Sequence, residues 1–116
     1  MSLNDNILDT IKEMLGIDRS YTAFDLELVS FINSTFPTLA QLGLSSAKDF
    51  VMDKESKWNS LVDEIRYSAV QSYVFYKVRV LFDPPQTAAL LSAYENMAKE
   101  AEWRLNVLVE TETLNE

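Results

Sequence analysis

The chain has 116 residues, with 18 acidic against 10 basic side chains, a formal net charge of −8 and a sequence pI near 4.4. That balance excludes wrapping of nucleic acid, which needs a basic stripe to displace counterions, but allows a wall past which DNA slides. The lack of cysteine and histidine excludes disulfides, thiolate chemistry, imidazole metal sites and histidine-activated nucleophiles.

Hydrophobic residues make up 47% of the chain, enough for one core without covalent staples. Two glycines and three prolines favour long regular elements over a turn-rich β fold. The length suits a single domain. No stretch approaches the apolar length of a membrane span, and no signal peptide is expected.

The first predicted helix covers residues 4–15. Leu3, Ile7, Leu8, Ile11, Met14 and Leu15 recur at helical spacing on one face. Asn4 or Ser2 is the expected cap, since Ser2 and Asp5 have capping-box spacing. Gly16, followed by apolar Ile17, suits a left-handed C-terminal residue. The second helix is predicted over 23–42. Thr22 and Asp25 form its expected box, with Tyr21 and Leu26 at hydrophobic-staple positions. Leu28, Phe31, Ile32, Thr35, Phe36 and Leu39 give its buried face. Pro37 denies a hydrogen bond to Asn33, so a kink or break is expected near Ser34. Gly43 ends the helix.

Residues 45–59 form an irregular middle. Phe50, Val51 and Met52 read as a short strand or a pinned loop, and Trp58 as its anchor to the core.

The third helix is predicted over 61–82, with Ser60 and Asp63 as its box. It carries two apolar rows: Val62, Ile65, Ala69, Tyr73, Tyr76 and Val80, and then Tyr67, Val70, Val74, Val78 and Phe82. Arg66 and Lys77 fall between the rows, where long stems can snorkel. A helix apolar on two sides is central, or is covered by something outside its own chain. Residues 74–82 also alternate and are rich in β-branched and aromatic types, so a strand competes there. The length of the whole apolar run favours helix.

Asp83-Pro84-Pro85 stops that helix, because residues before proline avoid the α region. Asp83 is the expected cap of the next helix, with Gln86 completing the box; Thr87 is the alternative. The fourth helix is predicted over 88–109, with Leu90, Tyr94, Met97, Ala101, Leu105 and Leu108 on one face. Trp103 leaves that face and falls near Ser92, Asn96, Lys99 and Val107. Residues 110–116 form an acidic C-terminal tail.

The acidic residues do not make a convincing metal site. Asp63, Glu64, Glu95, Glu100, Glu102, Glu110 and Glu112 never produce the Glu-x-x-Glu pairs of all-α nucleotide pyrophosphohydrolases, and Mg²⁺ needs converging oxygens. A solvated charged face is the expectation. Asp83-Pro84-Pro85 could be a binding loop, but each residue has a local job as stop or cap. Tyr73, Phe75 and Tyr76 could line a pocket, but core or interface packing is the commoner use of such spacing. Phe75 leaves both apolar rows. Trp103 either folds over the helix end onto the N-terminal helices or anchors another protein, a role in which tryptophan is enriched. Phe75, Phe82, Trp103 and Val107 are therefore the interface candidates.

Residues 73–85, Tyr-Val-Phe-Tyr-Lys-Val-Arg-Val-Leu-Phe-Asp-Pro-Pro, and residues 102–107, Glu-Trp-Arg-Leu-Asn-Val, resemble the head–tail connector (adaptor) proteins of tailed bacteriophages and their prophages, also known as DNA-packaging proteins. The opening residues 7–17, Ile32-Asn33-Ser34, residues 41–44 and Trp58 are similar to the same family. Residues 45–56 are not matched.

The resemblance implies a non-catalytic structural subunit without cofactors or bound metal. Copies form a ring beneath the portal, extend the DNA channel and offer a tail-docking surface. The implied partners are copies of itself, the portal protein and a downstream head-completion or tail protein. DNA passes without specific binding, and no membrane is involved. The implied location is the virion neck, after assembly in the bacterial cytoplasm.

The expected fold is all-α, with four to five helices around a long antiparallel helical hairpin and at most a short strand or hairpin in the middle. Residues 1–109 form one domain, followed by the tail. Ring closure requires two different patches per subunit. The helical hairpin is the expected source of one, and the N-terminal helices or middle loop of the other. The competing functions are a generic helical interaction module and a metal-dependent nucleotide hydrolase.

Overall fold

The apolar periodicities fold into four helices in the computed structural model, which describes the backbone of residues 2–114 and the side chains of residues 2–108. They are α1 (Ile7–Met14), α2 (Asp25–Gln41), α3 (Glu64–Phe82) and α4 (Ala88–Leu114), with single 3-10 turns at Ser45–Ala47 and Trp58–Ser60. The protein is mainly all-α. Among the described residues there is no strand, only an isolated bridge between Asn6 and Lys57.

Helices α3 and α4 make the antiparallel hairpin. Tyr76 meets Tyr94 near the turn, with ring centroids 5.5 Å apart, while Ile65 shares a groove with Trp103 at the far end. Residues 74–82 are helical, so their alternation is a by-product of the two-row pattern. Both rows contribute to the core: Ala69 and Tyr73 from the first, Val70, Val74 and Val78 from the second. Leu28, Ile32, Phe36 and Leu39 of α2 join the same cluster, as do Ile7, Leu8 and Ile11 of α1.

Several boundaries differ from expectation for identifiable reasons. The first helix starts at Ile7, capped by the Asn6 side chain, which accepts from the Asp9 N–H at 2.9 Å. Residues 3–6 cannot be helical because they pair with the middle segment. Leu3 and Asp5 carbonyls accept from Asn59 and Trp58 N–H at 2.8 and 3.1 Å, and Ile7 N–H donates to Ser56 at 2.9 Å. The Ser2–Asp5 contact still forms, at 2.7 Å, but closes an isolated turn.

Asp25 is buried against Lys12 instead of capping α2, and the staple residues Tyr21 and Leu26 are exposed. No break occurs at Pro37; α2 runs through it. The Ser34 and Thr35 hydroxyls donate to the Phe31 and Ile32 carbonyls at 2.6 and 2.7 Å; the carbonyl that Pro37 leaves without its helical donor is that of Asn33, one residue's bond in a helix otherwise held by its buried face.

Asp63, not Ser60, caps α3, accepting from Arg66 N–H at 3.0 Å. Residues 58–60 are instead spent on the 3-10 turn. Thr87, not Asp83, caps α4, its hydroxyl accepting from Leu90 N–H at 3.2 Å. Asp83 closes α3 through its own N–H to the Arg79 carbonyl, at 3.0 Å. The fourth helix continues past residue 109 to Leu114, so residues 110–114 of the expected tail have helical backbone; residues 115–116 lie outside the described residues.

Both glycines do what their positions suggest. Gly16 and Gly43 have φ of 80° and 110°, the left-handed region that glycine enters without Cβ strain. Each closes a helix by the paired bonds of a Schellman motif. Ile17 N–H reaches the Lys12 carbonyl at 2.8 Å and Gly16 the Glu13 carbonyl at 3.0 Å; Leu44 and Gly43 repeat this on Leu39 and Ala40.

The middle segment is a pinned loop. The Asn33 amide brackets Met52, donating to its carbonyl at 3.1 Å and accepting its N–H at 2.8 Å. Phe50 stands edge-on to Phe36. Trp58 is fully buried, and its indole N–H donates to the Thr10 hydroxyl at 3.1 Å.

Lys12 is the main surprise of the core. It sits one turn after Leu8 on the buried face of α1, and only 1% of it is exposed. Its ammonium has three donors, and each finds an acceptor: the Arg19 carbonyl at 2.9 Å, the Tyr21 carbonyl at 2.6 Å and Asp25 Oδ1 at 2.9 Å. A buried charge left without its partner costs about 3–5 kcal/mol. Asp25→Ala is therefore expected to destabilise the fold by about that amount. The double variant Lys12→Met, Asp25→Ala should recover most of the loss. Urea melts followed by circular dichroism measure both; equal losses in the single and double variants would contradict this account.

Tyr73 is buried where α2, α3 and α4 meet. Burial pushes its hydroxyl above the ordinary tyrosine range; a hydrogen bond with Thr38 opposes the shift and nearby Glu102 adds to it. A raised acid favours the neutral phenol in the folded chain. Its contribution is complete below about pH 10, the unfolded value, and is lost as pH rises through the folded value. Thermal melts should therefore show stability falling on the alkaline side, and Tyr73→Phe should flatten that decline. Tyr67, raised chiefly by burial, will retain part of it. An unchanged slope in Tyr73→Phe would assign the decline elsewhere.

Candidate functional site

The seam between α3 and α4 is narrower than the sequence pattern implies. It uses Tyr94, Ala98, Ala101 and Leu105, of which the last three are buried. These step by four, three and four residues, a straight stripe along one side of the helix. Leu90 and Met97, expected on this face, are left exposed, and so is Ile65 of the first α3 row. Small alanines in the stripe bring the helices together but cover little of their flanks.

One uncovered flank is a groove at the start of α3. Ile65, Ser68 and Ala69 form one wall; Trp103, Arg104, Val107 and Leu108 form the other, around 290 Å³. Ile65 is 71% and Trp103 65% exposed. An aromatic side chain carries about 200 Å². Covering two-thirds of that, at about 25 cal/mol per Å², is worth about 3 kcal/mol to whatever covers it. Arg104 leans back on Glu100, 3.3 Å away, an exposed pair worth little by itself. A second, 440 Å³ groove nearer the hairpin turn is lined by Tyr76, Lys77, Val80, Leu81, Glu95, Ala98, Lys99 and Glu102.

A separate apolar cluster lies at the start of α2. Tyr21 packs on Phe24 with centroids 5.6 Å apart, and Phe24 stands edge-on to Phe82 at 5.1 Å. Two residues after Phe24, in the first turn of α2, Leu26 is 82% exposed. Phe82 ends α3 and Ile65 lies near its start. At 1.5 Å per residue, the two apolar regions are about 25 Å apart along that helix. On the middle loop, Val51 is also open, at 80%.

The four sequence candidates fall into two kinds. Phe75 and Phe82 are half-buried and pack against the core, Phe75 edge-on to Tyr76 at 5.0 Å. Trp103 and Val107 are exposed and share the α3–α4 groove. Trp103 lies off the Tyr94–Leu105 stripe and borders a groove beside α3 that includes no residue of α1 or α2. The pattern missed Ile65 and Leu26, which it assigned to a buried row and a staple. The mismatch between the small α4 stripe and the large residues of α3 was the available signal.

At the hairpin end, Arg79 bridges the helices. Its guanidinium lies 5.8 Å from the Tyr94 ring centroid and 3.5 Å from Asp83 Oδ2. Among the described residues, no three His, Cys, Asp or Glu side chains are grouped so as to hold a metal ion. No helix among them is long and apolar enough to cross a membrane.

A family model described as phage connector protein matches residues 7–112. That span takes in all four helices up to the last turn of α4. Neither a curated protein nor a solved structure matches the chain.

Proposed function

This chain belongs to the phage connector protein family, a structural family, and on that premise we propose that it is a head–tail connector subunit. In this reading copies form a ring beneath the portal, extend the DNA channel and offer a docking surface to a head-completion or tail protein. The ring assembles in the bacterial cytoplasm and remains in the virion neck. The observation that carries the reading is the uncovered Ile65–Trp103 groove, about 25 Å along α3 from the Phe82 end, where Tyr21, Phe24 and Leu26 at the start of α2 are also uncovered. A head-to-tail ring needs two unlike patches per subunit, and this pair would serve. The net charge of −8 supports the channel role, since negative walls let DNA pass without holding it.

Light scattering with and without portal protein tests the reading. A ring-sized mass, alone or on the portal, is expected; a persistent monomer that ignores the portal would overturn it. Trp103→Ala is expected to weaken assembly by at least about tenfold. It should change folding stability by less than about 0.5 kcal/mol, as for an exposed side chain. Intact assembly with a marked drop in melting temperature would refute the assignment of Trp103.

A further inference from the structure

We propose that the Ile65–Trp103–Val107 groove of one subunit receives Leu26, at the start of α2, from a second copy, with Glu27 set against Arg104. This inference rests on the connector reading and names the contact within it. One surface is an open apolar groove and the other an uncovered apolar side chain. The groove is concave, apolar and 290 Å³ in volume. Leu26 is the most exposed large hydrophobic side chain among the described residues, at 82%, and stands in the first turn of α2.

Their charges are complementary. Arg104 lines the groove, exposed at its rim, with its guanidinium 3.3 Å from Glu100. Glu27 follows Leu26 directly and is exposed in the first turn of α2. A carboxylate there gives the contact a polar rim around an apolar centre, the usual anatomy of an interface.

The two surfaces also cannot satisfy each other within one chain. Leu26 neighbours Phe24, which packs on Phe82 at the end of α3, while the groove opens beside Ile65 near its start. A knob and a socket at opposite ends of one rigid helix must be matched between copies. Made once with each neighbour, the contact is heterologous and builds a ring or a filament; made reciprocally, it would close a two-fold dimer, which gives no covalent ladder.

The chain has no cysteine, so introduced thiols report only on the positions chosen. Leu26→Cys, Val107→Cys and the double variant are treated with a short bis-maleimide linker, with circular dichroism confirming each fold. The double variant should give a ladder of covalent oligomers. The two single variants should give dimers when mixed and none when treated separately. Charge reversal is the second measurement. Glu27→Arg and Arg104→Glu should each weaken assembly by roughly tenfold, and the combined variant should recover most of the loss.

Assembly that persists by light scattering without the ladder or the charge rescue would overturn this pairing and leave the connector reading standing. Cross-linking of either single variant with itself would overturn it in favour of a two-fold contact. A chain that never assembles, with or without portal protein, would overturn both.

Discussion

The buried ammonium of Lys12 is the constraint on which the N-terminal half depends. It gathers the Arg19 and Tyr21 carbonyls and the Asp25 carboxylate around one point. The turn between α1 and α2 is thereby folded over a fixed centre, and the first residue of α2 is set in place by a charge contact rather than a cap. Hydrophobic burial alone would hold α1 against the core without specifying how the connection leaves it. The ion pair selects one path, and that path leaves Leu26 and Glu27 on the outside.

A second system of restraints binds the middle of the chain. Backbone bonds between residues 3–7 and 56–59, the Trp58 indole on Thr10, and the Asn33 amide on Met52 join segments far apart in sequence. The loop contains no regular element of more than one turn, yet Met52 and Trp58 are fully buried. The start of α3 is consequently tied to α1, and the groove beside Ile65 begins on a rigid base. Rigid presentation matters for docking, because little conformational freedom remains to be lost on association.

Much of this architecture was legible in the residues. The four helices, the proline stop between α3 and α4, both glycine terminators and the anchoring role of Trp58 follow from local rules that tertiary packing did not override. The second polar residue on the inner face of α1 was harder to place. A lysine after Leu8 and Ile11 reads as a tolerated edge residue unless three acceptors are known to converge on it. The caps failed because other contacts claimed them first: residues beside Ser2 pair with a distant segment, Asp25 meets a buried lysine, Ser60 belongs to a 3-10 turn and Asp83 closes the preceding helix. The exposed site was only partly legible. Trp103 and Val107 stood out by leaving the helical face, whereas Ile65 and Leu26 lay on faces whose cover never arrives. Periodicity reports which residues could be covered, not whether a neighbour is wide enough to do so.

The two tryptophans occupy opposite environments, and that asymmetry gives the molecule a built-in optical division of labour. Trp58 is sealed beside Tyr67 with its ring nitrogen bonded, whereas Trp103 faces water. Ultraviolet emission from the first indole follows the integrity of the single chain; emission from the second follows what settles on its surface. Loss of the fold and arrival of a neighbour therefore move the spectrum in opposite directions, without any added dye.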